Sequence, residues 1–331
     1  MVQALNFSSV EVMNRNDQAY IVKTAQQKDL VTTIEQIHYL QNLPDEIKSY
    51  FPEITEFNIT AESVSYHMPF YKMNQLDDAL LDPDCQMDEI HEALTLLIDL
   101  LFSHIYGKDS KPVPEDFVLK THIQRMEKRI HYFLSQRPDL CRLILSPALK
   151  INGEIFTNTL PSFDFLLREK NLESLTPSNL SFVHGDLEAN HILFLKQQGE
   201  MQLKLLDPRS TDKGGDFAYD LGKLFQSIHG KSHVIQRGQF SLKYELEKDI
   251  PEIEFYVNSG RPSEYKDLFD KVINRINERC NDKNWEKRTL FSEAAHFLSA
   301  PPFFLESDCD AAAGLYLQGI LLLNDFMKNH L

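Results

Sequence analysis

Two short apolar runs constrain this chain more than any other feature. "HILFL" (191–195) and "MQLKLL" (201–206) flank "KQQGE", a polar linker that contains Gly199. Apolar runs around a polar, glycine-bearing loop predict a β-hairpin. Pairing 196 with 201 sets 191 opposite 206. His191 then opens the first strand, and Asp207 just follows the second. An antiparallel ladder brings both to one end, with facing Cα atoms about 4.5–5.5 Å apart. Asp186 lies in the loop that enters the same end. Spacing alone therefore gathers Asp186, His191 and Asp207. A carboxylate and an imidazole so placed can share a divalent metal, and a second carboxylate can take a proton from a hydroxyl. Neighbouring strand positions point to opposite faces, which makes His191 a better companion for Asp207 than Asn190.

Upstream, residues 2 to 25 read as strands on either side of a turn: "QALNFSSVEVM", "NRNDQ", then "AYIVKTA". In "KDLVTTIEQIHYLQNLP", Leu30, Ile34, Ile37 and Leu40 recur at helical spacing, and Pro44 closes the pattern. "EITEFNIT" and "ESVSYHMPFY" predict two further strands, with Pro69 turning the end of the second into a linker. From about residue 77 helical patterns dominate, over 86–106, 115–135 and 162–169, and again from 216 to the end. The expectation is an α+β chain: a small β-rich lobe with one main helix (1–73) and a large, mostly helical lobe (74–331). A ligand cleft between lobes is the default for such a plan.

Charge and composition narrow the partners. A formal net charge of -15 repels polyanions, so no nucleic-acid partner is expected, and a neutral or cationic small molecule suits the surface better. Cys85, Cys141, Cys280 and Cys309 form no C-x-x-C pair. Buried free thiols in a reducing, cytoplasmic setting are expected. "MVQALNFSSVEVMNRND" lacks the charged start and apolar core of a signal peptide. "ALTLLIDLLF" and "GLYLQGILLL" fall well short of the ~20 residues that span a bilayer, so no membrane partner is expected. No signal bears on oligomeric state.

In order and spacing the central residues resemble the aminoglycoside phosphotransferase and choline kinase family, a branch of the protein-kinase-like fold. "VHGDLEANHIL" resembles that family's catalytic loop, H-G-D-x-x-x-x-N. "LLDP" resembles its version of the kinase D-F-G metal site, and "GGDFAYDLGKL" its D-x-x-x-D-L segment. The resemblance spans roughly 6–225. It implies a bilobal fold and a small-molecule kinase. Such an enzyme moves the γ-phosphate of ATP or GTP to a hydroxyl of a sugar, an aminoglycoside, an amino alcohol or a similar metabolite. Mg²⁺ is the implied ion, with Mn²⁺ as the alternative.

The resemblance also implies roles. Asp186 would be the catalytic base, and Asp207 a metal ligand. His184 would be structural, and Asp220 would hold the catalytic-loop backbone. The slot of the family's metal-binding Asn is filled by His191, with Asn190 one position early. Imidazole is a softer ligand than an amide oxygen and leans toward Mn²⁺ or Zn²⁺. Ser8 and Ser9 would stand in for a glycine-rich phosphate loop. Lys23 would meet the phosphates, with Glu35 on the next helix as its acid partner. Backbone groups around Met68 to Phe70 would hold the base. Arg209 is left between phosphate neutralisation and pairing with Asp216 or another nearby acid. Glu306 and Asp308 belong to a surface loop or to acceptor contacts.

Two other readings stay open at this level. One is a catalytically inactive nucleotide-binding regulatory module on the same fold. The other is a metal-dependent hydrolase built from His184, Asp186, His191 and Asp207, which would leave Lys23 and Glu35 without a purpose.

Overall fold

The hairpin forms in the predicted register. Lys196 faces Met201 and Ile192 faces Leu205, and beyond the ladder the Leu206 N–H donates to the His191 carbonyl at 2.7 Å. Gln198 and Gly199 turn the chain at φ +55° and +84°. That left-handed pair is what a two-residue turn between right-twisted strands requires.

The computed structural model describes residues 9–15, 18–26, 29–209 and 214–331. The first strands and helices are β1 (Ser9–Arg15), β2 (Gln18–Gln26), α1 (Leu30–Gln41), α2 (Asp45–Lys48), β3 (Glu56–Ile59), β4 (Ser63–Pro69), β5 (Asn74–Gln75) and α3 (Leu76–Leu81). Helix α4 (Met87–Leu100) runs on through a π-helical turn, Leu101–Ile105, and a second such turn, Leu119–Ile123, leads into α5 (Gln124–Gln136). Then come α6 (Cys141–Leu145), β6 (Ala148–Ile151), β7 (Glu154–Thr157), α7 (Thr159–Leu166), α8 (Glu169–Leu175), and the hairpin strands β8 (Ile192–Gln197) and β9 (Glu200–Leu205). The rest is α9 (Phe217–Ile228), α10 (Ser232–Gln236), β10 (Phe240–Glu245), β11 (Glu252–Val257), α11 (Pro262–Arg279), α12 (Trp285–Ser299) and α13 (Cys309–His330).

The described parts of Met1–Lys111, with Ser181–Gly215, form one compact unit. It holds a four-stranded antiparallel sheet in the order β1-β2-β4-β3 and a smaller sheet β5-β8-β9. Helix α1 buries Thr33, Gln36, Ile37, Tyr39 and Leu40. Ile37 packs with Val64, Tyr66 and Met68, the inward-facing alternate residues of β4.

Pro112–Leu180 and Asp216–Leu331 form the other unit. Its core joins α5, α12 and α13 through Phe133, Phe291, Phe297 and Tyr316. The unit is mostly helical, as expected, and a four-stranded sheet that the sequence reading did not place, β10-β11-β6-β7, is built into it. Asn152 and Gly153 make the β6–β7 turn at φ +50° and +89°. These units cut the chain at 111/112, 180/181 and 215/216, whereas the expected functional lobes divide at 73/74.

Two polar features fix α9 against α12. The Asp216 carboxylate caps α9 by accepting from the Ala218 N–H at 3.1 Å. It also takes a buried two-pronged ion pair from Arg288, Nε to Oδ2 at 2.8 Å and Nη2 to Oδ1 at 3.1 Å. Gly222 permits close approach, since a Cβ there would lie 2.7 Å from the Ser292 side chain. The four cysteines are free as expected, but none is fully buried: Cys141 and Cys309 are exposed, and Cys85 and Cys280 half-buried. Among the described residues no helix is long and apolar enough to cross a membrane.

Removing one partner of a buried ion pair strands the other, at a cost of about 3–5 kcal/mol. Arg288→Met is expected to lose that much in urea unfolding. The pH dependence follows from two buried histidines. Burial depresses His122 and His233 to about 3. The unfolded chain takes up those protons near pH 6.5, so between that pH and 3 it binds more protons than the folded chain. Stability is therefore complete above pH 6.5 and falls on acidification, by up to ~1.4 kcal/mol per pH unit for each histidine. Urea midpoints at pH 7.5, 6.0 and 5.0 should fall in that order.

Candidate active site

Strand β2 alternates partly buried and buried residues, and the alternation sinks Lys23 to 4% exposure. Its ammonium pairs with Oδ1 of Asp207, the residue just past β9. Asp207 sits at φ +54°, a left-handed backbone that a non-glycine residue adopts at a cost. Burial alone would raise the Asp207 carboxyl. The positive charge of Lys23 foremost overcomes it and holds the group below the ordinary carboxylate range.

The hairpin register brings the other two sequence-gathered residues to the same place. Nδ1 of His191 lies 2.8 Å from the Asp186 carbonyl oxygen, and its Nε2 lies 3.8 Å from Oδ2 of Asp207. A carbonyl only accepts, so Nδ1 carries the hydrogen. In the neutral ring Nε2 therefore turns a lone pair toward a carboxylate oxygen. The Asn190 Oδ1 is buried with no partner among the described residues, and His191 is the neighbour that stands by both aspartates. His184 is fully buried, and burial lowers its pKa to about 3. Kept neutral, its Nδ1 accepts the Asp186 N–H at 3.2 Å and positions the loop.

Arg209 pairs with a nearby acid, one of the alternatives left by the sequence. Its N–H donates to the His184 carbonyl at 2.7 Å, and its Nε donates to Oδ2 of Asp186 at 3.1 Å. Asp216, the other acid considered for it, is held by Arg288.

Other expected residues are placed differently. Glu35 is exposed, because the buried stripe of α1 runs through Thr33, Gln36 and Tyr39. The α1 side chain that reaches Asp207 is Gln36, which sequence reasoning missed. Its Nε2 lies 3.4 Å from Oδ1 of Asp207 and 3.3 Å from the Pro208 carbonyl, and its Oε1 accepts from the Tyr66 hydroxyl at 2.8 Å. The helical phase that buries Ile37 and Leu40 was the available signal. Ser8 lies outside the described residues. Ser9 opens β1 opposite Thr24, next to the Val10–Lys23 pair.

A cavity of about 760 Å³ opens beside the end of β4, with Ile21, Met68, Phe70, Leu193 and Leu206 as its apolar wall. Met68 and Phe70 thus both belong to it. The Phe70 N–H, however, is committed to the Ala19 carbonyl at 3.1 Å, while the Tyr71 N–H has no partner among the described residues. Asp78, Asp82, Asp84 and Glu89 line the same cavity. Asp220 is buried in the first turn of α9, and Asp308 is a helix cap, accepting from the N–H groups of Asp310 and Ala311 at 3.0 Å.

The donor set suits a hard cation in part. Nε2 of His191 and Oδ2 of Asp207 face each other at 3.8 Å and present lone pairs to one point. Among the described residues no three His, Cys, Asp or Glu side chains converge as a metal cage. A two-ligand set fits Mg²⁺, which keeps waters and takes its other oxygens from a substrate phosphate.

The contrast between neighbouring α1 residues is testable. Gln36→Met should cost about 1–3 kcal/mol in urea unfolding, since it removes buried hydrogen bonds. Glu35→Ala should stay within ~0.5 kcal/mol. Equal costs for the two would contradict the phase of α1.

No protein-family model matches the sequence, and no curated protein matches it. Solved structures do. One is a protein assigned as a fructosamine-3-kinase, from Haemophilus somnus 129PT. It is 12% identical, the match covers 98% of this chain and 90% of that one, and the TM-score is 0.53. Another is the aminoglycoside phosphotransferase APH(3'')-Id from Streptomyces rimosus ATCC10970, 12% identical over 88% of this chain and 92% of that one, with a TM-score of 0.45. A third, aminoglycoside-3'-phosphotransferase of type VIII, is 15% identical over 87% and 88%, with a TM-score of 0.44. The α+β expectation is borne out: the chain has the kinase-like fold that it shares with the Haemophilus protein.

Proposed function

We propose that the protein is a phosphotransferase that moves the γ-phosphate of ATP or GTP to the hydroxyl of a small molecule. The observation that carries this reading is the meeting of Lys23, Asp186, His191 and Asp207 within one compact unit. The fold shared with a protein assigned as a fructosamine-3-kinase supports it. So does the cavity beside the end of β4, with an apolar wall and a volume wide enough for a purine. Residues 1–73 would serve the nucleotide, and 74–331 would carry the catalytic loop, the metal ligands and the acceptor helices.

In this reading Lys23 neutralises phosphate oxygens, and the free Tyr71 N–H, rather than that of Phe70, meets the base. Ser9 borders the phosphates. His191 and Asp207 hold a divalent ion, Mg²⁺ or Mn²⁺, which would spread the negative charge of the phosphates. Asp186 takes the proton of the acceptor hydroxyl. Arg209 holds one oxygen of that carboxylate. Positioning and charge neutralisation supply the catalysis. A cytoplasmic setting and a sugar, amino alcohol or aminoglycoside as acceptor belong to the same proposal.

The test is nucleotide consumption across amino alcohols, sugars and aminoglycosides, with Mg²⁺ and with Mn²⁺. Asp186→Asn should lower turnover roughly 10²–10⁴-fold and leave nucleotide affinity nearly unchanged. Full activity in that variant removes the assignment. Nucleotide binding without transfer to any acceptor points to the regulatory module instead.

A further inference from the structure

The two oxygens of the Asp207 carboxylate stand in different surroundings. Oδ1 takes the Lys23 ammonium and lies 3.4 Å from Nε2 of Gln36. Oδ2 takes no hydrogen bond among the described residues and faces Nε2 of His191 at 3.8 Å. One oxygen is thus engaged by hydrogen donors, and the other looks toward a lone pair.

Gln36 owes its place in this division to its own partners. It is 4% exposed, on the inward face of α1. Its Oε1 accepts from the Tyr66 hydroxyl at 2.8 Å, and Tyr66 is fully buried on β4. Its Nε2 lies 3.3 Å from the Pro208 carbonyl, which only accepts. These partners leave the amide one orientation, with its hydrogens turned toward Asp207 and Pro208. The opposite orientation would set Oε1 against a carboxylate and a carbonyl. Gln36 therefore holds both the Asp207 side chain and the backbone just after it, at a residue whose φ is +54°. The one acid of α1, Glu35, is exposed and takes no part.

The second donor on Oδ1 matters because the first has another task in the proposed reaction. There Lys23 turns to phosphate oxygens, and Gln36, anchored by Tyr66, is the donor that stays. A carboxylate held in this way offers a cation one oxygen rather than two. That suits Mg²⁺, which demands near-octahedral geometry at about 2.0–2.1 Å. Ca²⁺ is larger, binds at about 2.3–2.6 Å, and readily takes both oxygens of one carboxylate.

We propose that Gln36, braced by Tyr66, is a positioning residue that keeps Oδ1 of Asp207 engaged, leaves Oδ2 with Nε2 of His191 for the divalent ion of the nucleotide, and so makes the site favour Mg²⁺ over Ca²⁺. This deepens the phosphotransferase reading and rests on it for the nucleotide and its ion. An acid in the place of Gln36 would work the other way, by competing for Lys23 and repelling Asp207. A neutral donor is what the division between the two oxygens requires.

The experiment measures binding without turnover. The non-hydrolysable triphosphate analogues AMP-PNP and GMP-PNP are titrated calorimetrically into the full-length protein, with saturating Mg²⁺ or with saturating Ca²⁺. The tighter analogue is carried through. The wild type should bind its Mg²⁺ complex about tenfold more tightly than its Ca²⁺ complex. Gln36→Met keeps the length of the side chain and removes the amide. Its ratio should fall to about twofold or less, as the carboxylate becomes able to give both oxygens to Ca²⁺. Tyr66→Phe keeps the ring and removes the brace. It should narrow the ratio in the same direction, and it decides the matter if Gln36→Met does not fold.

A purely structural role for Gln36 would weaken both complexes alike. A ratio that stays at the wild-type value in the folded variants therefore overturns the proposal and leaves the phosphotransferase reading standing. A wild type that binds the two complexes equally also overturns the proposal alone. Binding of neither analogue with either ion removes the phosphotransferase reading and the proposal with it.

Discussion

The Asp207 carboxylate is the point on which the first unit depends. Lys23 reaches it from β2, Gln36 from α1, and His191 from the start of the hairpin. Three separate stretches of sequence thus meet on one side chain, which stands at the end of β9 in a left-handed conformation. Burial disfavours its charge, and the Lys23 ammonium foremost restores it. A charge that needs several partners to survive burial ties the positions of those partners together. The four-stranded sheet, its helix and the hairpin are registered to one another through that need.

The other unit solves a comparable problem in two ways. Arg288 and Asp216 are both buried and pair in a two-pronged geometry, and Nη1 of Arg288 also donates to Asp282 at 2.8 Å. They hold the start of α9 to α12, as a structural ion pair does. Arg125, on α5, is instead met by neutral groups, the Tyr219 hydroxyl and Nδ1 of His296, and lies over the Tyr219 ring.

The sequence made the hairpin and the convergence of Asp186, His191 and Asp207 legible, because a period of two and a short turn fix register without outside help. Lys23 was legible for the same reason. The acid partner was not: Glu35 and Gln36 differ by one position, and helical phase rather than charge decided which turned inward. The Phe70 N–H was lost to Ala19, a pairing set by where β4 leaves its neighbour. The sheet in the second unit left a trace, Asn152–Gly153 between two short runs, that the helical composition around it masked. Arg125 left none, since Tyr219 and His296 are distant in sequence and only packing brings them to it.

That overlooked turn has a further consequence. The Asn152 amide acts as an extra rung of the sheet: Nδ2 donates to the Phe255 carbonyl at 2.7 Å, and Oδ1 accepts the Phe255 N–H at 2.8 Å. An asparagine followed by glycine is the pair whose amide hydrolyses most readily as a protein ages. Conversion to aspartate would set oxygen against oxygen at Phe255, where the parallel contact between β11 and β6 spans only Glu252–Lys150 and Ile253–Ile151. The same dipeptide that closes the hairpin is thus where chemical wear would first loosen the sheet.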